Sequence, residues 1–249
     1  MAKTRSGPAR PSRAVDRRLV HALFEQLYRH RWLYWLASTI PFAGQWRTWQ
    51  RLVIPRLLGT DVLETGCGTG TLLLDMVEAG YTCTAIERSP QMVAATRDRL
   101  RRHHLEEAVS LRLGSAAALP YADRSFDSVV STFPTEYIFD PTTTKEMARV
   151  LRPGGRVIVV LGARLIPVHF LLLPLVGLQT LVYGRGERRK ASAAGETVPA
   201  IAAALGPDPL LARMGAAGLV ARIEVVRGTF WDAVLYIAEK PARSFQSAQ

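Results

Sequence analysis

The stretch Asp61-Val62-Leu63-Glu64-Thr65-Gly66-Cys67-Gly68-Thr69-Gly70 runs an apolar segment into a carboxylate and then into three glycines at alternate positions. Glycine lets backbone amides approach a ligand with no Cβ in the way. At the carboxyl end of a parallel strand, such a loop lies where doubly wound folds bind nucleotides. A dinucleotide fingerprint, G-x-G-x-x-G, would seat a pyrophosphate on a helix N-terminus. Here the order is Gly66-x-Gly68-x-Gly70, and Thr71 stands where the third glycine would fall. Glu64 points the same way, because a carboxylate facing the ligand repels pyrophosphate and attracts an ammonium group. These residues suit a nucleoside with a cationic, amino-acid-like end. A second carboxylate, Glu87, closes the run TCTAIE. It stands about 20 residues past the loop, where an acidic side chain accepts hydrogen bonds from both ribose hydroxyls and disfavours a 2′-phosphate.

The elements that must position these groups alternate along the chain. Short β-like runs (DVLET, TCTAIE, VSLRL, FDSVVS, RVIVV) are separated by helical ones (TLLLDMVEAG, PQMVAATRDRL, KEMARVL). This alternation predicts an α/β fold with a parallel sheet covered on both faces. Three helix starts share one punctuation, a capping side chain followed by proline: Ser89-Pro90, Asp140-Pro141 and Asp208-Pro209. After the last of these the runs LVARIEVV and AVLYIAEK are joined by a turn near Gly228, too short for a crossover helix, which predicts an antiparallel hairpin at the sheet edge. Residues 1–18 read as a basic tail without apolar period, and residues 19–58 as amphipathic helices rich in aromatics such as Trp46 and Trp49. Residues 59–240 form the expected catalytic domain, with an apolar insertion at about 161–205, and residues 241–249 a short tail.

The motifs resemble those of class I S-adenosylmethionine (SAM)-dependent methyltransferases, in particular the small-molecule and lipid methyltransferases with a type 11 core. Their first motif reads E/D-x-G-x-G-x-G and their second strand ends in an acidic residue. Leu119-Pro120-Tyr121 with Asp123 to Ser131 resembles the family's fourth-strand motif, and Arg149-Val150-Leu151-Arg152-Pro153-Gly154-Gly155 its entry into strand five. The likeness covers residues 59 to 160. It implies a Rossmann-like, mostly parallel seven-stranded sheet of order 3-2-1-4-5-7-6 with helices on both faces, and SAM as cofactor. By the same resemblance Glu64, Thr65, Gly66, Cys67, Gly68, Thr69 and Gly70 carry the methionine end of SAM and Glu87 holds the ribose. Arg88 and Met92 line the adenosine, Ser115 and Ala116 flank the adenine, and Thr132, at the end of strand four, is the last of the expected cofactor-binding residues. Relatives commonly have aspartate where Ser115 stands, so the adenine contact is expected to fall to backbone groups near Ala116. No metal is implied. Asp127 reads as a turn or cap residue and Cys67 as a small loop residue.

Methyl transfer from a sulfonium is an in-line displacement from an already activated leaving group, so the protein's main work is alignment and desolvation. Where the acceptor needs deprotonation, Glu136 and Tyr137, which follow strand four, are the candidate catalytic bases. His21, His30 and His169 read as packed or solvated.

The formal net charge of +11 suits an anionic partner, but six basic residues of the tail, from Lys3 to Arg18, supply much of it. Nucleic-acid amine methylation in this superfamily goes with N/D-P-P-Y/F after strand four, whereas this chain has Ser131-Thr132-Phe133-Pro134, which disfavours nucleic acid. The insertion carries LIPVHFLLLPLVGLQTLVYG between Arg164 and Arg185. A membrane crossing there would split one sheet across a bilayer, so the segment is expected to be a hydrophobic lid or an element touching an anionic membrane surface. Either implies a small apolar, aromatic or lipid-like acceptor. Tyr34 and Trp46-Arg47 resemble elements of quinone-biosynthesis methyltransferases, with a different spacing. Two cysteines and no secretion-type leader lead to the expectation of a cytoplasmic protein, with a peripheral position on the inner face of the membrane as its membrane-contacting form. A non-catalytic SAM-binding protein, a nucleic-acid methyltransferase and a nicotinamide oxidoreductase are the competing classes.

Overall fold

The computed structural model describes residues 44–166 and 208–242. The expected tail and first aromatic helices, most of the apolar insertion, and His21, His30 and His169 lie outside the described residues.

Seven strands form one sheet: β1 (Asp61–Thr65), β2 (Thr82–Glu87), β3 (Val109–Leu113), β4 (Phe126–Thr132), β5 (Leu151–Leu165), β6 (Val220–Arg227) and β7 (Trp231–Glu239). Their order is β3-β2-β1-β4-β5-β7-β6, the order implied by the resemblance. Strands β1 to β5 are parallel, and β7 runs antiparallel to both β5 and β6.

The parallel strands bury both faces, and successive side chains divide between two cores. Val62, Ala85, Val130 and Ile158 face a core with Trp49, Leu72, Met76 and Leu100. Leu63, Ile86, Val129 and Val157 face another with Ile138, Met147, Leu210 and Met214. On the first face lie α1 (Trp46–Gln50), the 3-10 turn Arg51–Arg56, α2 (Thr71–Glu78) and α3 (Pro90–Arg102). The second face carries the 3-10 turn Glu136–Phe139, α4 (Pro141–Val150) and α5 (Pro209–Ala216).

The three capping signals are all used as read. Ser89 accepts from the amide of Met92, Asp140 from that of Thr142, and Asp208 from those of Leu210 and Leu211. Asp127 is a cap of another kind: Oδ2 accepts from the amides of Thr60 and Asp61, while Oδ1 takes the Arg152 guanidinium. It fixes the entry into β1, far along the strand from the glycine loop.

Strand β5 is longer than the run RVIVV. It pairs with β4 only as far as Val160 opposite Thr132, then continues alone with β7, Leu165 opposite Trp231. Residues Leu161–Leu165, read from sequence as the start of the insertion, are therefore strand, and the antiparallel β5–β7 pair extends past the carboxyl edge of the parallel sheet. The reason is tertiary: their hydrogen-bond partners are supplied by a segment more than sixty residues later in the chain.

Candidate functional site

The site lies at the carboxyl ends of β1, β2, β3 and β4. Register places Thr65 beside Ile86 and Glu87 beside Leu113, so the loops after three neighbouring strands meet. Gly66 donates to the carbonyl of Ile86 and Gly114 to that of Glu87, which draws the loop Gly66–Gly70 and residues 114–116 to opposite sides of the β2 terminus.

Gly66, Gly68 and Gly70 all have positive φ. A Cβ on Gly66 would lie 2.6 Å from the Tyr137 hydroxyl, and one on Gly70 2.6 Å from Cγ2 of Thr96. The loop is thus closely backed, with its shape enforced by side chains from α3 and from the turn after β4. Thr96 also donates to the carbonyl of Gly68 at 2.7 Å. Gly70 caps α2 without any side-chain bond, leaving the first amides of that helix uncommitted to a capping group.

Glu64 is fully buried, and neither of its carboxyl oxygens has a hydrogen-bond partner among the described residues. Burial, with the nearby Glu87 charge second, pushes it up to about 8. A carboxyl in this state is neutral until a cation arrives to stabilise the ionised form. Glu87 accepts from the amides of Gly68 (3.0 Å) and Ser89 (2.9 Å). A carboxylate offers roughly four acceptor sites, so two remain for a pair of ribose hydroxyls. An orphaned buried carboxyl, a glycine cradle and a half-used second carboxylate fit a nucleoside carrying an ammonium.

Around this centre, Cys67 is buried and its thiol is raised well above the usual range by burial, which makes it unreactive. Thr69 lies 3.4 Å, oxygen to oxygen, from Thr71. Met92 is buried in the first turn of α3, whereas Arg88 is exposed. The Ser115 hydroxyl accepts from the amide of Ala117, within its own turn.

At the end of β4, Thr132 is buried and accepts from Nε2 of Gln50 at 3.1 Å. Glu136 is exposed, with no hydrogen-bond partner among the described residues. Tyr137 reaches inward instead: its hydroxyl lies 2.7 Å from that of Ser131 and donates to the carbonyl of Thr65 at 3.0 Å. Burial raises this phenol above its ordinary value. The two candidate bases are adjacent in sequence but face different surroundings.

Sequence reasoning missed Thr96, Gln50 and Asp75. Asp75 is a buried carboxylate on α2 that takes both Arg47 and Arg51, thereby fastening α1 and the following turn over the first core. Arg47 and Arg51 four apart were the available signal, but their partner is 24 to 28 residues away.

Residues 63–159 match the family described as "Methyltransferase domain". This part of the chain is similar to a methyltransferase domain, within a sheet of the order that the resemblance implied. Over 130 residues this domain region is 36% identical to a demethylmenaquinone methyltransferase of Corynebacterium glutamicum, covering 51% of this chain and 53% of that protein. A protein of the same name from Mycobacterium marinum is 34% identical over 148 residues, covering 58% and 59%. The chain thus spans a little over half the length of these curated relatives. Among solved structures, a geranyl diphosphate methyltransferase in complex with GPP and sinefungin matches with a TM-score of 0.53 at 14% identity, covering 81% of this chain and 86% of that one. The [4+2]-cyclase SpnF matches with a TM-score of 0.53 at 21% identity, covering 79% and 81%. The chain therefore shares its fold with a protein named for another reaction, and the fold alone does not select the chemistry.

Proposed function

We propose that this chain binds SAM in the cradle of Glu64 to Gly70 and Glu87, and transfers its methyl group to a small aromatic or lipid-like acceptor at the carboxyl end of β4. The carrying observation is Glu64, a fully enclosed carboxyl behind the glycine loop with both oxygens unpartnered among the described residues. When bound, SAM supplies a methyl on a positively charged sulfur, already activated for in-line displacement. The chain's residues then do four things. Glu64 ionises to stabilise the ammonium end. Amides of Gly66 to Gly70 hold the amino-acid part, with Thr65, Cys67 and Thr69 shaping the loop. Glu87 orients the ribose, Arg88 and Met92 border the adenosine, and backbone at Ser115 and Ala116 meets the adenine, since the Ser115 hydroxyl is spent on Ala117. Thr132 and Phe133 align the acceptor and exclude water.

Tyr137 is best read as a positioning residue, because its hydroxyl is committed to Thr65 and its phenol resists deprotonation. Glu136 remains the candidate base, its carboxyl at the rim unengaged among the described residues.

The relatives' names point to a quinone-type acceptor. The stacked pair of Trp46 and Phe133, both only partly buried and backed by Trp49, supports an aromatic one. Among the described residues no helix is long and apolar enough to cross a membrane. A peripheral contact, made by the segment following Leu165 with anionic lipid, fits delivery of such an acceptor. Flotation with anionic vesicles, with and without residues 165–184, tests it: no vesicle association removes the membrane part.

The function itself is tested by calorimetric titration with S-adenosylhomocysteine (SAH) and by labelled methyl transfer into demethylmenaquinol. Uptake and labelling are expected. Absence of SAH binding defeats the proposal, SAH binding without transfer to any extract fraction favours a non-catalytic binder, and label in RNA overturns the acceptor class.

A further inference from the structure

We infer that Gln50 is a specificity-determining residue of the acceptor site, its amide oxygen receiving a hydrogen bond from a hydroxyl on an aromatic acceptor. This rests on the methyl-transfer reading above. Gln50 is 7% exposed, and while its Nε2 is bonded to Thr132, its Oε1 is enclosed without a hydrogen-bond partner among the described residues. Buried amide oxygens are nearly always satisfied, so an orphan held at a ligand-binding edge marks a place for a donor brought from outside.

The surroundings say what kind of molecule brings it. Gln50 lies four residues from Trp46, hence on the same face of α1. Trp46 stacks on Phe133 with ring centroids 4.1 Å apart, and Phe133 directly follows Thr132. Trp49 tilts against the same Phe133 ring at 6.2 Å and meets Trp231, opposite Leu165 at the far end of the β5–β7 pair, edge-on at 6.1 Å. Phe133 itself takes a left-handed backbone, φ 49°, and its N–H donates to the carbonyl of Val160. A bulky residue seldom adopts that conformation unless its surroundings impose it. An enclosed amide oxygen on the residue next to Trp49, whose amide nitrogen holds Thr132 beside the Trp46–Phe133 stack at the end of β4, suits a flat ring carrying an O–H. Stacking supplies affinity and the amide oxygen supplies discrimination.

The test uses the full chain saturated with SAH and two probes of nearly equal shape, 1-naphthol and 1-methoxynaphthalene, of which only the first can donate. Calorimetry on the wild type is expected to show about tenfold tighter binding of the naphthol. In Gln50→Met the naphthol affinity falls to that of the ether, while ether and SAH binding stay unchanged. A wild type without preference, a preference that survives in Gln50→Met, or equal loss of both probes overturns the inference. Should Gln50→Met fail to fold, Gln50→Met with Thr132→Val removes both polar partners together, and the ratio of the two probes is read there. Wild type that takes up no SAH defeats the methyl-transfer reading as well, whereas SAH uptake with indifference to the hydroxyl defeats this inference alone.

Discussion

The hydroxyl of Tyr137 donates to the backbone carbonyl of Thr65 at 3.0 Å, joining the turn after β4 to the residue that opens the glycine loop. Ser131 reaches the same carbonyl at 3.2 Å, so the link is doubled. Tyr137→Phe is therefore expected to cost about 1 kcal/mol of stability and to weaken SAH binding several-fold, with kcat for methyl transfer falling in similar proportion. Loss of a general base would instead reduce kcat by roughly 10²–10⁴ and alter its pH profile. Calorimetry and a kcat–pH series on the variant separate the two roles.

Glu64 makes stability and ligand binding depend on pH. Its folded-state value of about 8 lies above that of an exposed carboxyl, through burial and then Glu87. Between the unfolded value, about 4.3, and 8, the folded chain holds a proton that the unfolded chain has released. Stability of the ligand-free protein thus falls as pH rises through that window, by at most about 1.4 kcal/mol per unit, and levels off above it. SAH binding in the same window expels the proton, which calorimetry in buffers of different ionisation enthalpy detects. Glu64→Gln is expected to flatten the stability slope, abolish proton release and weaken SAH binding. A slope unchanged in the variant would assign the pH dependence elsewhere.

Asp75 has no exposed side-chain surface, yet its two arginine partners are about half exposed. Their exposure screens the pair, so Asp75→Asn should cost about 2 kcal/mol, less than a fully buried pair, and lower the Tm by roughly 5 °C. Because the link anchors α1 and not the glycine loop, KM for the acceptor should rise while SAH affinity stays close to wild type. Equal loss of both would show that α1 also supports the cofactor site.

Gly70→Ala places a methyl group in a left-handed backbone, φ 71°, and 2.6 Å from Cγ2 of Thr96. The conformation alone costs about 1–2 kcal/mol. Thr96→Ser removes the colliding methyl group and keeps the hydroxyl that holds the Gly68 carbonyl. The double variant should therefore recover part of the stability and SAH affinity lost in Gly70→Ala, but not all. Recovery is read from melting curves and titrations of the single and double variants, and the absence of any would place the whole cost in the backbone.

Much of the fold was legible because its signals are local. Ser89, Asp140 and Asp208 each cap the helix that the adjacent proline announces, since cap, proline and first turn are contiguous. The extent of β5 was not legible. Leu161–Leu165 are strand because Trp231–Val234 hydrogen-bond to them, and the sequence around Leu161 says nothing of that partner.

The sequence by itself determined the glycine loop, the two carboxylates Glu64 and Glu87 and the alternation of strand and helix, all of which follow from residue type and near-neighbour spacing. Only the tertiary structure decided what those groups face. It left the Glu64 oxygens unpaired among the described residues and turned Tyr137 inward to Thr65 while Glu136 points to solvent. It also carried Gln50 across 82 residues of chain to Thr132. Burial and long-range pairing are properties of the packed whole: an amide, a phenol or a carboxyl acquires its partner, or loses it, only when distant segments close around it.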